Sequence, residues 1–347
     1  MANEIIVSNT NEVVTRVPRH RYVKRSLFEG NGRRLLWDGL GRNVSAAHSA
    51  REVCKLADLD FEVQTEPIFT ADGVKIKNMV ATRRYDEYNG ELLGGTVFGV
   101  VSNRYQPVQN HKGFEFIDAL FGQEGFEIET AGHFDDGKIV WLEAKLPQQV
   151  MAGEEIMPYL VFTNRHDGKG SVRIFLTPVR VICRNTLNYA IKKAQQRSFA
   201  VRHTTNAVEL LQEATQILQN YHAYLEAMNS TIENQKRILL SDGHFDQLIS
   251  RVFPIKESDK DSVKERIKLN REEVRAIYNS ADDLSGREKS GFRFVNAVSD
   301  WATHHTPMRE TKTYRSKLFQ NTLNGNPYID TAVAVIDEWD GGNLLIA

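Results

Sequence analysis

Two absences limit what this chain of 347 residues can be. It contains only two cysteines, Cys54 and Cys183, which lie far apart in the sequence. This count excludes a disulfide-stabilised scaffold and a cysteine-rich zinc module, and it fits a reducing compartment. The chain has no apolar run of about 18 residues, and its polar N-terminus lacks the pattern of a secretory signal. We therefore expect a cytoplasmic protein with no membrane segment.

Motifs for metals and cofactors are also missing. The chain has no Walker A sequence and no HExxH pair. Gly39-Leu40-Gly41 lacks the preceding strand and the third glycine of a dinucleotide fingerprint. His304 and His305 are adjacent, so on a helix their side chains would project about 100° apart and chelate poorly together. The sequence predicts no catalytic residue, no metal site and no cofactor.

Cys183 leaves one catalytic alternative open. A thiol between Arg180 and Arg184, at a predicted helix N-terminus, would have the lowered pKa that a nucleophile needs. The other interpretation is a small buried side chain, which is the usual role of a cysteine in an apolar run. Because no histidine is tied to Cys183 in the sequence, we favour the buried role and rank an enzyme third among the possible functions.

The rest of the composition is that of a globular protein, with 41% hydrophobic and 26% charged residues. The length favours two folded units. We divide the chain into a basic N-terminal arm at residues 1–43, an α+β domain at 44–200 and a helical domain at 201–347. Tyr22, Phe28 and Trp37 lie among the basic residues of the arm.

In the first 200 residues or so, strand and turn signals dominate. We expect a helix after Asn43 or Ser45, which would cap it, ending near Asp58, and a second helix capped by Asn110. Pro178 is expected to end the last strand, because proline cannot donate to a sheet ladder. The pattern predicts a largely antiparallel, strongly twisted sheet backed by helices. Its strands are expected at Phe61 to Thr65, Val74 to Arg83, Thr96 to Ser102, Glu127 to Gly132, Lys138 to Leu146, Leu160 to Thr163 and Val172 to Leu176.

From about Asn206 the periodicity becomes helical. An apolar stripe with alternating spacings of 3 and 4 is typical of a heptad seam. Its residues are Leu211, Ala214, Leu218, Tyr221, Leu225, Met228 and Ile232. Packing inside a helical bundle and a dimeric coiled coil both explain it, and the width of the stripe favours the bundle. Further helices are expected at His244 to Arg251, Ser262 to Tyr278, Ser290 to His304, Thr313 to Asn321 and Tyr328 to Trp339.

The most informative feature is the charge between Tyr159 and Arg202. This segment holds nine basic residues and one acidic residue, Asp167, a net charge of +8 in a chain whose formal net charge is −1. A solvated face usually mixes both signs, whereas a basic groove with aromatic side chains is typical of single-stranded nucleic-acid binding. A solvated face is nearly as good an explanation. The predicted binding residues are Arg165, Lys169, Arg173, Arg180, Arg184, Lys192, Lys193 and the stacking candidate Tyr105.

Four stretches carry a family resemblance. FGVVSNRYQPVQNHKGFEFID and LVFTNRHDGKGSVRIFLTPVRVICRNTLNYA resemble the two signature blocks of the phage/plasmid-like protein family of unknown function. GLGRNVSAAHSAREVCKLADLDFEVQTEPIF resembles its opening and GFRFVNAVSDWATHHTP its later helical block, so the match spans about residues 35 to 310. The resemblance implies genes of phages, prophages and plasmids, and it supplies no activity. Arg184 departs from the family pattern, in which a glutamine-like residue is usual.

Two functions remain in view. The leading hypothesis is a protein of a phage or plasmid that binds nucleic acid, with single-stranded DNA in recombination or replication as the expected partner. The alternative is an anti-defence or regulatory protein that acts by binding another protein. Gly94, Gly95 and Gly99 in a strand, together with the wide helical stripe, lead us to expect surfaces that pair with another copy, and hence a homo-oligomer.

Overall fold

The computed structural model describes residues 22–23, 41–119, 121, 125–180, 198–212, 216–280, 288–305, 308–309 and 326–339. Within them the chain is α+β, as the sequence predicts, with antiparallel sheets in the first part and helices in the second. The predicted helices near Arg184 and at Thr313 to Asn321 lie outside the described residues. None of the described helices is long and apolar enough to cross a bilayer.

The larger sheet has seven strands, all paired antiparallel. The strands are β2 (Arg42–Asn43), β6 (Glu127–Phe134), β7 (Ile139–Lys145), β8 (Gln149–Met151), β9 (Glu154–Arg165), β10 (Val172–Arg180) and β11 (Ser198–Val201). Their order across the sheet is β11-β10-β9-β7-β6-β2, and β8 also pairs with β9.

A separate three-stranded sheet consists of β3 (Glu62–Phe69), β4 (Lys75–Tyr88) and β5 (Glu91–Ser102). Asn89 and Gly90 join β4 to β5 with φ of 52° and 82°. Positive φ at both central residues defines the tight hairpin turn that the residue pair Asn-Gly favours. A two-stranded ladder pairs β1 (Tyr22–Val23) with β12 (Met308–Arg309).

Two predicted helix caps are wrong. Helix α1 (Ala50–Leu56) begins later than expected, and Ser49 is its cap, accepting a hydrogen bond from the Glu52 amide. Helix α2 (Asn110–Phe114) is preceded by Gln109, which makes no side-chain cap bond. Asn110 instead lies inside the protein, where its amide group donates to the Leu59 carbonyl. Tertiary hydrogen bonds therefore replace the local capping role that the sequence favours.

The prediction that Pro178 ends its strand is also wrong, because β10 continues to Arg180. Pro178 lies opposite Pro158 of β9. The Pro158 carbonyl accepts from the Leu146 amide on its other side, so this pair exchanges no hydrogen bonds and the ladder between β9 and β10 loses none. Within the described residues, β11 pairs with β10 only as far as Phe175. Among the described residues Pro178 thus has a strand partner on one side only, a position where proline is tolerated.

The helices of the second part are α3 (Ala207–Gln212), α4 (Gln216–Arg237), α5 (Asp242–Val252), α6 (Asp261–Ser280), α7 (Gly291–Asp300) and α8 (Pro327–Asp337). Helix α7 is buried along its whole length, and a π-helical turn, Trp301–His305, extends it. In α4, Tyr221, Leu225, Met228 and Ile232 of the predicted stripe are buried within this one chain. Bundle packing therefore accounts for the described part of the stripe.

Contacts between α4 and the β8–β9 turn join the two parts. Lys236 donates to the buried carboxylate of Glu154 at 2.7 Å and to the Ala152 carbonyl at 2.6 Å. The Ala152 amide in turn donates to the Asn229 side chain at 2.8 Å. On the sheet, α2 packs against β9, where the rings of Phe114 and Phe162 meet edge to face with 4.9 Å between centroids.

Candidate functional site

An open cleft of about 510 Å³ lies where the β9–β10 loop, the end of β5 and the end of β11 meet. Three segments that are distant in the sequence form its walls, and none of the residues lining it carries a carboxylate. The lining residues are Ser102, Arg104, Tyr105, Gly168, Gly170, Ser171, Ala200, Arg202, His203 and Thr204.

Two cationic side chains, those of Arg104 and Arg202, line this cleft, and Lys169 lies in its loop wall between the lining residues Gly168 and Gly170. All three are exposed. Across the described parts of the chain their side chains make no hydrogen bond and no ion pair, although the charge of Lys169 helps to lower the pKa of Asp167. Cations without a hydrogen-bonded carboxylate partner are available to bind an anion.

The β9–β10 loop brings backbone close to the cleft. Gly168 has φ of 72°, a conformation that glycine adopts without strain. A side chain at Gly170 would clash with Arg165, since an added Cβ would lie 2.6 Å from its Cδ atom. The two glycines therefore leave the loop backbone uncovered by side chains of their own, which allows a ligand to approach it closely.

The one acid of this region is neutralised internally. Arg165 donates to Asp167 through Nε at 3.1 Å and through a terminal nitrogen at 2.7 Å, and the Lys169 amide donates to the same carboxylate at 3.0 Å. Burial alone would raise the pKa of the Asp167 carboxyl, but these hydrogen bonds outweigh burial and the pKa lies below its ordinary value. Arg165 is therefore a structural partner of Asp167, and its charge is shared with that carboxylate.

Tyr105 lies at the cleft as a half-buried side chain. Its ring stacks on His203 with 4.6 Å between centroids and 19° between planes, and its hydroxyl donates to the Arg165 carbonyl at 3.1 Å. Burial, with a smaller effect of Asp167, raises the pKa of Tyr105 well above its ordinary value. Since His203 covers one face of the Tyr105 ring, a nucleic-acid base can stack only on the part of the ring that is exposed in the cleft.

Beneath the cleft lies a buried polar network. His166 Nε2 is 3.0 Å from the Asn110 side-chain oxygen, the Thr82 hydroxyl donates to the His166 carbonyl at 2.7 Å, and the Asn164 amide group donates to the Val108 carbonyl at 2.9 Å. Burial lowers the pKa of His166 to about 3. Burial also lowers the pKa of His203 to about 4, although the Gln106 and Arg165 carbonyls favour its charged form. Both rings are neutral near pH 7, so these histidines shape the cleft without adding charge to it.

The other predicted binding residues are dispersed. Arg173 lies opposite Ala200, which lines the cleft, and its guanidinium is 4.1 Å from the centroid of the Phe175 ring. Arg180 ends β10, seven residues beyond Arg173, which is roughly 23 Å along a strand. Arg184, Lys192 and Lys193 lie outside the described residues, as does Cys183. Of the predicted set, the structure places Lys169 and Tyr105 at the cleft and Arg173 beside it.

Sequence reasoning missed Arg104 and Arg202 as binding residues. Each had a local signal, namely a basic residue next to an aromatic ring: Arg104 precedes Tyr105, and Arg202 precedes His203. Only the fold reveals their proximity, since it brings the end of β5 to the end of β11.

Other chemistry finds no support in the described residues. No three histidine, cysteine, aspartate or glutamate side chains there are grouped so as to hold a metal ion. Burial, with a smaller effect of Asp60, raises the pKa of the Cys54 thiol to about 12, so this cysteine is a poor nucleophile near neutral pH.

Comparison with known proteins gives a family but no activity. The Domain of unknown function (DUF932) matches residues 97–323, which is most of the chain, and the protein therefore belongs to that family. The match includes every residue of the β9–β10 loop and of β11, and it begins within β5. No curated protein and no solved structure matches the chain.

Proposed function

We propose that this DUF932 protein binds nucleic acid, with single-stranded DNA as its ligand, in the recombination or replication of a phage or plasmid. The observation that carries the proposal is the cleft lined by Arg104 and Arg202, with Lys169 in its loop wall and no carboxylate among the lining residues. Within the described residues none of these three side chains forms an ion pair. Phosphate neutralisation by Lys and Arg provides most of the affinity of such proteins. Tyr105 at the same cleft adds an aromatic surface, the second component of single-strand binding sites.

The size of the cleft favours a single strand over a duplex. At about 510 Å³ it is in the range of pockets that hold one small ligand. An unpaired strand can insert a nucleotide into such a space and expose its base to an aromatic ring, whereas a duplex keeps its bases stacked inside.

The test is a salt titration of oligonucleotide binding, followed by fluorescence anisotropy. The double variant Arg104→Ala/Arg202→Ala is expected to weaken binding and to reduce the slope of log affinity against log salt by roughly one to two units, since each phosphate contact on a single strand contributes about 0.7. The matched control is Arg237→Ala/Arg266→Ala, which removes the same charge from exposed positions on α4 and α6. Equal binding by both variants and the wild type would contradict the proposal.

A second arm separates stacking from charge. Tyr105→Ala is expected to cost about 1–3 kcal/mol in affinity for single strands without changing the salt slope. Tyr105→Phe retains the ring and loses only the hydrogen bond to the Arg165 carbonyl, so it should bind like the wild type. If both variants lose affinity equally, the hydroxyl positions the loop and the ring does not stack on bases.

The mobile-element origin is supported by the four stretches that resemble phage and plasmid proteins. The genes that flank this one provide the test, because a phage or plasmid protein is encoded among structural, replication or conjugation genes. A chromosomal position with only housekeeping neighbours in several genomes would contradict this part of the proposal.

A second function, protein binding in an anti-defence or regulatory role, is favoured by one surface. The β4–β5 hairpin exposes apolar side chains, including Leu92 at 45%, Leu93 at 52%, Val97 at 53% and Val100 at 53%. Leu92 and Leu93 are consecutive strand residues, so they expose apolar area on both faces of the hairpin, and exposed apolar area can mark a protein interface. If no oligonucleotide binds, replacing Val97 and Val100 by serine and measuring assembly becomes the decisive experiment.

A further inference from the structure

We propose that the cleft recognises a phosphate monoester, namely the terminal phosphate at an end of the bound strand, rather than a phosphodiester within it. This inference rests on the proposed function, because it specifies which part of the nucleic acid enters the cleft. Three observations carry it: the excess of positive charge, the set of hydrogen-bond donors and the limited volume.

The charge around the cleft suits an anion of more than one charge. Arg104, Lys169 and Arg202 are unpaired among the described residues, and Asp167 is already held by Arg165. An internal phosphodiester carries one negative charge, whereas a terminal phosphate carries about −1.5 to −2 near neutral pH. The monoester therefore matches the available cations more closely.

The donors at the cleft suit an anion with several exposed oxygens. Ser102 and Ser171 contribute hydroxyls, whereas the Thr204 hydroxyl donates to the Arg202 carbonyl at 3.5 Å. The two arginines contribute guanidinium groups that can bind two phosphate oxygens at once. A monoester presents three terminal oxygens as strong acceptors, one more than a phosphodiester offers. More of these donors are satisfied by a strand end than by a strand interior.

The volume of about 510 Å³ accommodates one or two nucleotide units. Single-strand proteins that bind a continuous strand use sites of about 4–16 nucleotides for each domain. A small cleft with concentrated charge is more typical of binding a terminus. The lining residues Arg104, Tyr105 and His203 would then contact the last nucleotide and its phosphate.

The proposal predicts that binding affinity depends on pH because the phosphate of the ligand titrates. The charged groups at the cleft or in its loop wall are Arg104, Lys169, Arg202 and the Arg165–Asp167 pair, and the pKa of the Asp167 carboxyl lies below its ordinary value. Between pH 5.5 and 7.5 His203, with a pKa of about 4, and Tyr105, whose pKa is raised, remain neutral. A terminal phosphate has a second pKa near 6 and gains a proton as the pH falls through this range. Its affinity should drop while that of an unphosphorylated strand stays constant.

The experiment compares one oligonucleotide sequence with a 5′-phosphate, with a 3′-phosphate and with hydroxyls at both ends, using wild-type protein and fluorescence anisotropy. We expect at least one phosphorylated form to bind roughly tenfold more tightly. From pH 7.5 to 5.5 this form should lose roughly fourfold in affinity, and the hydroxyl form should not change. Arg104→Ala/Arg202→Ala should remove the preference, and Arg237→Ala/Arg266→Ala should retain it. Lys169→Gln, a single change at an exposed position, provides a second reading if the double variant is unstable.

Competition of deoxyadenosine monophosphate and of inorganic phosphate with the bound oligonucleotide identifies which chemical group the cleft recognises. If the nucleotide displaces the oligonucleotide at a lower concentration than phosphate does, the cleft recognises a nucleotide end. If both displace it equally, only the phosphate is recognised, and the proposal that the cleft contacts the last nucleotide is overturned. Equal affinity for all three oligonucleotides, weakened by the arginine variants, overturns the inference and retains the proposed function. If a fluorescent mononucleotide binds and no oligonucleotide does, the proposed function is overturned and a phosphate monoester site is retained.

Discussion

Arg165 holds the carboxylate of Asp167 through two hydrogen bonds, of 3.1 Å and 2.7 Å, on the loop that borders the cleft. The Asp167 side chain is only 5% exposed, and that of Arg165 is 20% exposed. This ion pair neutralises the one acid between Tyr159 and Arg202, and Arg202 lines the cleft without a carboxylate partner among the described residues. It also fixes the loop backbone, because the Lys169 amide donates to the same carboxylate.

The first prediction concerns this pair. Arg165→Ala should reduce the free energy of unfolding by about 2–4 kcal/mol, because it leaves a buried carboxylate without its main partner. Urea unfolding at pH 7 measures the loss. Arg165→Ala/Asp167→Asn removes both charges and should recover part of the stability. A single variant as stable as the wild type would show that solvent already compensates Asp167.

The second prediction concerns the pH dependence of stability. His166 and His203 have folded-state pKa values of about 3 and about 4, below the ordinary value of 6.5. At a pH between the folded-state values and 6.5, the unfolded chain binds more protons than the folded chain does. The free energy of unfolding should therefore fall as the pH drops below about 6.5. Each histidine contributes up to about 1.4 kcal/mol per pH unit in that window.

Urea unfolding between pH 5 and pH 7.5 measures this slope in a range where most carboxylates stay ionised. His166→Gln removes one titrating group, so its stability should depend less steeply on pH than that of the wild type. His48→Gln, at an exposed histidine just before α1, is the control and should keep the wild-type slope. An unchanged slope in the His166 variant would mean that water reaches the ring in the folded state.

The third prediction tests how β5 supports the loop. A Cβ on Gly99 would lie 2.7 Å from the carbonyl oxygen of Asp167, which is backbone and cannot move without shifting the loop. Gly99→Ala should therefore cost about 1–3 kcal/mol in stability and weaken ligand binding at the cleft. Gly95→Ala in the same strand is the control, since its Cβ would make ordinary contacts of 3.6 Å or more. Equal effects of the two changes would contradict the close packing of Gly99.

The fourth prediction concerns assembly. We expect the protein to sediment as a homo-oligomer, with the exposed apolar side chains of the β4–β5 hairpin at the interface. Val97→Ser/Val100→Ser should shift the distribution toward the monomer. Val150→Ser, at a valine that is 72% exposed on β8, is the control and should leave it unchanged. A wild-type protein that remains monomeric at high concentration, with and without DNA, would contradict the prediction.

Sequence reasoning identified the longer strands of the first part and most helices of the second, because apolar periodicity and turn residues are local signals. It missed the short strands β2, β8 and β11. The Asn89-Gly90 hairpin is one example, since positive φ at two adjacent residues demands those residue types. The errors arose where a distant contact overrides a local preference. Asn110 bonds Leu59 and His166 in place of capping its helix, and Pro178 fits into β10 because Pro158 is its opposite residue.

For the candidate site, the sequence by itself determined the residue types: a segment rich in cations with one acid, and a loop whose glycines permit positive φ. Which cations are free was decided only by the tertiary structure. It pairs Arg165 with Asp167, places Arg180 far along β10 from Arg173, and brings Arg104 and Arg202 to the same cleft. The physical reason is that charge is a property of each residue, whereas the availability of a charge depends on neighbours that only chain folding supplies.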